Sequence, residues 1–257
     1  METFPKRQNW TRSELILEFN LYCRTPFGRI HIRNPEIIEL ANEIGRTPSA
    51  VSWKLANFAR LDPTLSKRSI KGARHGSKED IKIWNEFQGN WEQLSFESQT
   101  LANKTEALGT EALGLEAEGV SFPKGQMKET LVRVRLNQAF FRSAILAAYE
   151  STCCITGIKL PELLCASHIV PWSVDVQNRT NPQNGLCLNA IHDRAFDRGL
   201  ITVTEDFKVR LSRRVTESKS SGIEILTDFD GAMIQLPSHF QPAPKFLHYH
   251  QQHIFQG

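Results

Sequence analysis

Residues 164–200 read LCASHIVPWSVDVQNRTNPQNGLCLNAIHDRAFDRGL, and they decide the fold of the C-terminal half. Leu164 to Val170 is apolar with one polar interruption near its end, which predicts a strand stopped at Pro171-Trp172. Residues 173–183 carry Asn, Asp and Pro and predict a loop. Gly185-Leu186-Cys187-Leu188 predicts a second short strand. Asn189 suits the N-cap of a helix that runs to about Asp197, and Gly199 ends it. The order is therefore strand, loop, strand, short helix. His168 lies late on the first strand, Asn184 just before the second, and His192 on the helix, so all three are expected to converge in one compact unit.

Working outward, ITVTEDFKVRLS (201–212) predicts a hairpin turning at TEDF. The C-terminus, KFLHYHQQHIF, carries His248, His250 and His253 at spacings that depart from the i, i+4 pattern of a metal-binding helix. It is expected to be a terminal helix packed on the core. The five cysteines, Cys23, Cys153, Cys154, Cys165 and Cys187, include no C-x-x-C pair. Buried free thiols are therefore expected ahead of a zinc site.

The combination SHIVPW, NPQNGLCL and HDRAFDRGL resembles the HNH endonuclease superfamily, whose fold is the ββα-metal finger. The flanking CCITG and the segment RLNQAFFRSAILAAY extend the resemblance over about residues 130–205, toward a bacterial branch used in restriction and phage defence. The resemblance implies a nuclease that hydrolyses DNA to 5′-phosphate and 3′-hydroxyl ends. It implies that His168 is the general base, Asn184 the loop-holding asparagine and His192 the helix residue that binds a divalent metal. Mg²⁺ or Mn²⁺ is the implied cofactor, ahead of zinc. Ser167 departs from the pattern, because many members place Asp, Glu or His there as a ligand. Phe196, four residues after His192, is not a ligand either. Asp193 and Asp197 are the nearby carboxylates, and Asp197 lies about 140° around the helix from His192. Three arrangements remain open: a metal with few protein ligands and more waters, Asp197 reaching in, or His168 itself binding the metal. Arg142, Arg194 and Arg198 are candidate phosphate contacts.

The N-terminal segment predicts helices. Thr11 and Glu14 have capping-box spacing, Asn34-Pro35 opens a helix over 35–44 that Gly45 ends, and a third helix, capped at Ser49 or the residue before it, runs to about Leu61. WTRSEL…IIELANEIGRTPSAVSWKLANF resembles the Myb/SANT-like group of three-helix DNA-binding folds over about residues 9–62. That resemblance implies a recognition helix whose polar positions, Ser52, Lys54, Asn57 and Arg60, face DNA. Val51, Leu55 and Phe58 would pack inward. The basic run SKRSIKGARHG (66–76) could follow a phosphate backbone. The aromatics of KEDIKIWNEFQGNWEQLSFES (Trp84, Phe87, Trp91, Phe96) are expected to be packing residues.

The chain has 257 residues, enough for one large or two small domains, and 40% are hydrophobic, which excludes a wholly disordered chain. The net charge of +3 names no partner. Its distribution says more, with +6 over residues 1–75, −5 over 76–127 and +2 over 128–257. The fold expectation is α+β: a helical helix-turn-helix-like domain over 1–98, a linker over 99–127 that repeats TEALG, and the HNH unit over 128–257. No secretory signal or membrane span is apparent, which predicts a cytoplasmic protein. DNA is the expected partner, with a homodimer or other defence proteins as further ones. A DNA-binding regulator with an inactive HNH unit, and a structural zinc module, are the competing readings.

Overall fold

The computed structural model describes residues 9–67, 76–106 and 126–257. The TEALG repeats and most of the basic run at 66–76 lie outside the described residues.

Helix α1 (Arg12–Arg24) is opened by a Thr11/Glu14 capping box. Helix α2 (Pro35–Glu43) is capped by Asn34. Helix α3 (Pro48–Leu61) is capped by Thr47, whose hydroxyl accepts from the Ala50 N–H. The cap lies before both expected positions, Ser49 and Pro48, because Pro48 has no N–H to satisfy and fits the first helical position. A short α4 (Pro63–Lys67) follows. The aromatic stretch forms two helices, α5 (Lys78–Phe87) and α6 (Trp91–Glu106), separated at Gly89, whose φ of 89° a side chain would resist.

Three helices alone do not close this head. Phe19 of α1 packs against Phe58 of α3, and also against Trp84 and Trp91 of α5 and α6. Trp84, Phe87 and Trp91 are buried, as packing residues should be. Helix α7 (Gln126–Ala148) lies along α1 and α6. Its adjacent phenylalanines serve different cores. Phe140 completes the head, whereas Phe141 joins the C-terminal core.

In the C-terminal half, β1 (Leu164–His168) and β2 (Gly185–Asn189) pair antiparallel, with His168 opposite Gly185. Gly185 is needed here, because a Cβ would fall 2.4 Å from Ile145 and 2.7 Å from Phe141 of α7. Helix α8 (Ala190–Asp197) follows directly. Strands β3 (Ile201–Val203) and β4 (Val209–Leu211) form the expected hairpin, closed at the turn by the Phe207 N–H donating to the Thr204 carbonyl. Helices α9 (Arg213–Thr216) and α10 (Glu224–Thr227) are single turns. Helix α11 (Pro244–His253) packs on the core, with His250 stacked on Phe196 at 3.7 Å. The fold is α+β, helical first and then HNH-like. All five cysteines are free. Among the described residues no helix is long and apolar enough to cross a membrane.

Candidate active site

His168 ends β1 inside an aromatic frame. Phe141 lies parallel to its ring at 3.8 Å, and Trp172 meets it edge-on at 5.5 Å. Its Nε2 is 2.8 Å from the Arg179 carbonyl oxygen. A carbonyl only accepts, so Nε2 carries the proton and Nδ1 keeps the lone pair. Burial lowers the pKa of this imidazole below the usual histidine value, partly opposed by the Arg179 carbonyl and the charge of Asp193. The ring is thus kept neutral and basic at Nδ1.

Asn184 closes the loop that carries Arg179. Its Oδ1 accepts from the Val170 N–H at 2.8 Å, and its Nδ2 donates to the carbonyls of Val170 and Asn178. The Asn184 carbonyl accepts from the Ile169 N–H. The side chain is fully buried, so these bonds are made without competition from water. Arg179 donates to the Trp172 carbonyl and lies over the Trp172 ring at 5.2 Å.

Asn189 caps α8, accepting from the Ile191 and His192 N–H groups. It is braced by the CCITG turn, where Thr156 Oγ1 accepts from its amide and Cys153 Sγ from its backbone N–H. The cysteines here brace by packing and hydrogen bonding.

The structure places His168 and His192 in different surroundings. His168 lines an open cavity of about 790 Å³ between β1, α7 and α8, and His192 does not. His192 is 1% exposed, donates from Nδ1 to Asn189 Oδ1 and meets Phe229 edge-on at 5.4 Å. Its Nε2 is buried without a partner. The cause is helical periodicity. His192, Ala195 and Phe196 share the face of α8 that packs on the core. Asp193 and Asp197, four residues apart, share another face, and both line the cavity with His168. Desolvation and the charge of Asp193 raise the pKa of Asp197. Burial, then the charge of Asp193 and its hydrogen bond from the Cys165 thiol, raise that thiol's pKa.

Arg194 and Arg198 line the same cavity. So does Arg142, although its guanidinium also donates to the carbonyls of Leu164 and Pro161, tying α7 to the entry of β1. Ser167 is buried, and its hydroxyl has no partner.

In the head, the expectation that Lys54 and Asn57 face outward is corrected. Both turn to Asp80 of α5, Lys54 at 2.8 Å and Asn57 at 3.2 Å. Asp80 has no exposure at all, and a carboxylate buried that deeply needs partners. Lys54 also lies over the Trp10 ring. Arg60 is half-buried and packed so closely on Gly76 that a Cβ there would fall 2.2 Å from Nη2. The exposed large side chain of α3 is Trp53, at 65%.

Residues 153–204 match the HNH_2 family, described as HNH endonuclease, and these residues are an HNH endonuclease domain. No curated protein matches the chain.

Proposed function

From the HNH endonuclease domain at residues 153–204 we propose that this protein is a divalent-metal-dependent DNA endonuclease with His168 as its general base. The observation that carries the reading is the His168 tautomer. Nε2–H is spent on the Arg179 carbonyl, and Nδ1 is left basic in a cavity that also holds two carboxylates and three arginines.

The donor set suits a hard cation. Among the described residues no group of three His, Cys, Asp or Glu side chains gathers as a metal cage. Asp193 and Asp197 nevertheless face one cavity, and the charge of Asp193 hinders the ionisation of Asp197, which a shared cation would relieve. Two carboxylates with several waters match Mg²⁺ or Mn²⁺ better than zinc. Such a cation would offset the charge that builds on the phosphorane-like transition state and on the leaving oxygen.

The side chains supply the rest. His168 Nδ1 takes a proton from water as the water oxygen forms a bond to phosphorus. The P–O3′ bond breaks, its electron pair stays on O3′, and O3′ takes a proton from solvent water, giving a 3′-hydroxyl beside a 5′-phosphate, while His168 returns its proton to solvent. Phe141, Trp172 and the Asn184-held loop fix the ring that does this. Arg142, Arg194 and Arg198 hold the flanking phosphates. One such centre cuts one strand, so a single copy nicks a duplex. Two copies, or two events, give a linear break. Restriction of foreign DNA, in a bacterial defence setting, is the role we propose for it.

Supercoiled plasmid incubated with the full chain and Mg²⁺ or Mn²⁺ tests the reading. We expect nicked circles first, none in EDTA, and a loss of roughly 10²–10⁴-fold in His168→Ala. Equal cleavage by His168→Ala removes the base assignment. A wild type that binds DNA yet cuts neither modified nor unmodified plasmid favours a DNA-binding regulator.

A further inference from the structure

A second cavity, of about 430 Å³, opens beside the first, and Arg198 lines both. That volume falls in the range of about 300–1,000 Å³ typical of small-ligand sites. Its lining is mixed: Leu200, Val215, Ile223 and Leu226 supply apolar surface, and Ser218, Gln256, Arg198 and Arg214 supply polar groups. Both arginines are exposed, and neither closes an ion pair among the described residues. Apolar surface, amide and hydroxyl groups and two guanidinium groups in one cavity match a nucleotide, because a base offers flat apolar faces with polar edges and arginine binds phosphate oxygens bidentately.

We infer that this second cavity binds an unstacked nucleotide of the DNA strand being cut, flanking the phosphate held at His168. The inference rests on the nuclease reading and adds a substrate subsite to it. Arg198 is the link, since it lines both cavities. A nucleotide seated there has left the base stack, so the subsite favours single-stranded or mispaired DNA over intact duplex. Recognition through base faces and phosphates leaves sequence largely unread.

Binding can be measured apart from cleavage, by fluorescence anisotropy of labelled single-stranded oligonucleotides with the full chain in EDTA. Arg214→Ala is expected to weaken binding about 5–10-fold and to lower the log–log salt slope by about 0.7, the signature of one lost single-strand phosphate contact. Ile223→Trp, which fills the cavity, is expected to weaken single-strand binding more than duplex binding. Lys219→Ala, an exposed change that does not line the cavity, should bind as wild type does. If Arg214→Ala and Ile223→Trp match wild type in affinity and slope while Arg194→Ala weakens binding, the subsite is wrong and the nuclease reading survives. If mononucleotide displaces the oligonucleotide at equal concentration, the cavity serves free nucleotides and the strand assignment fails. A wild type that neither binds nor cuts any DNA overturns the subsite and the nuclease together.

Discussion

At position 168 the ring proton points to a backbone carbonyl, and at position 192 it points to the amide oxygen of Asn189. The two imidazoles are therefore opposite tautomers, Nε2–H at 168 and Nδ1–H at 192. The bare Nδ1 of His168 belongs to a ring on the cavity wall, whereas the bare Nε2 of His192 is buried against the core. Substitution should separate them. Asp193→Asn is expected to raise the Mg²⁺ concentration needed for half-maximal cleavage by tenfold or more, with little change in melting temperature, because its side chain faces the cavity. His192→Phe is expected to act mainly on stability. It removes a donor to the α8 cap, which costs about 1 kcal/mol, and enlarges a packed side chain at a further 1–3 kcal/mol. Metal titrations and thermal melts of both variants check the assignment. A metal requirement moved by His192→Phe and untouched by Asp193→Asn would return the ligand role to the histidine.

The strand–loop–strand–helix unit was legible because its helix boundaries have local chemical causes. Asn189 caps a helix, and Gly199 takes a φ of 64° where a Cβ would fall 2.0 Å from the Ile254 carbonyl oxygen, while the first strand ends at His168, two residues short of the expected Val170. Which face of α8 meets the core has no local cause, since every residue of β2 beside it is buried and shows no alternation. The i, i+4 spacing of Asp193 and Asp197 is what puts both carboxylates on the cavity face, whereas the five-residue step from His192 to Asp197 does not. Lys54 was misplaced for a similar reason. Its partner Asp80 lies 26 residues on, in a helix that the three-helix reading leaves out. Within the loop, Asn184 is the tie that holds the Arg179 carbonyl under His168. Asn184→Ala would leave the Val170 N–H and the Val170 carbonyl unpaired, at about 1–3 kcal/mol for each group that water cannot reach, while the Asn178 carbonyl keeps the Asn181 N–H. Activity should fall together with stability in this variant. A stable Asn184→Ala protein with full cleavage would mean that the loop needs no tie.

Head and HNH domain are joined by α7 on one side and by residues 238–241 on the other. Phe240 enters the head core beside Trp84 and Trp91, with its N–H directed to Asp62, which also accepts from the Tyr22 hydroxyl. Next to it, His239 is buried against Tyr22, with its pKa lowered to about 4 chiefly by burial. At the far side of the HNH core, His250 is likewise lowered to about 4 by burial, bonded to Thr202 and to the Phe196 carbonyl. Both rings are neutral when folded, but in the unfolded chain each takes up a proton near pH 6.5. Below that value the unfolded state binds more protons than the folded one. Stability from these two sites is therefore present above about pH 6.5 and is lost as pH falls toward 4. At pH 5 the loss amounts to about 2 kcal/mol for each histidine, on the order of a 10 °C fall in melting temperature for both. Thermal melts of the full chain at pH 7.5 and pH 5 should show that fall. His250→Gln should flatten the pH dependence by about half, even though it lowers stability at neutral pH. An equal melting temperature at both pH values, with secondary structure intact, would show that the two rings are not held neutral at the seams of the molecule.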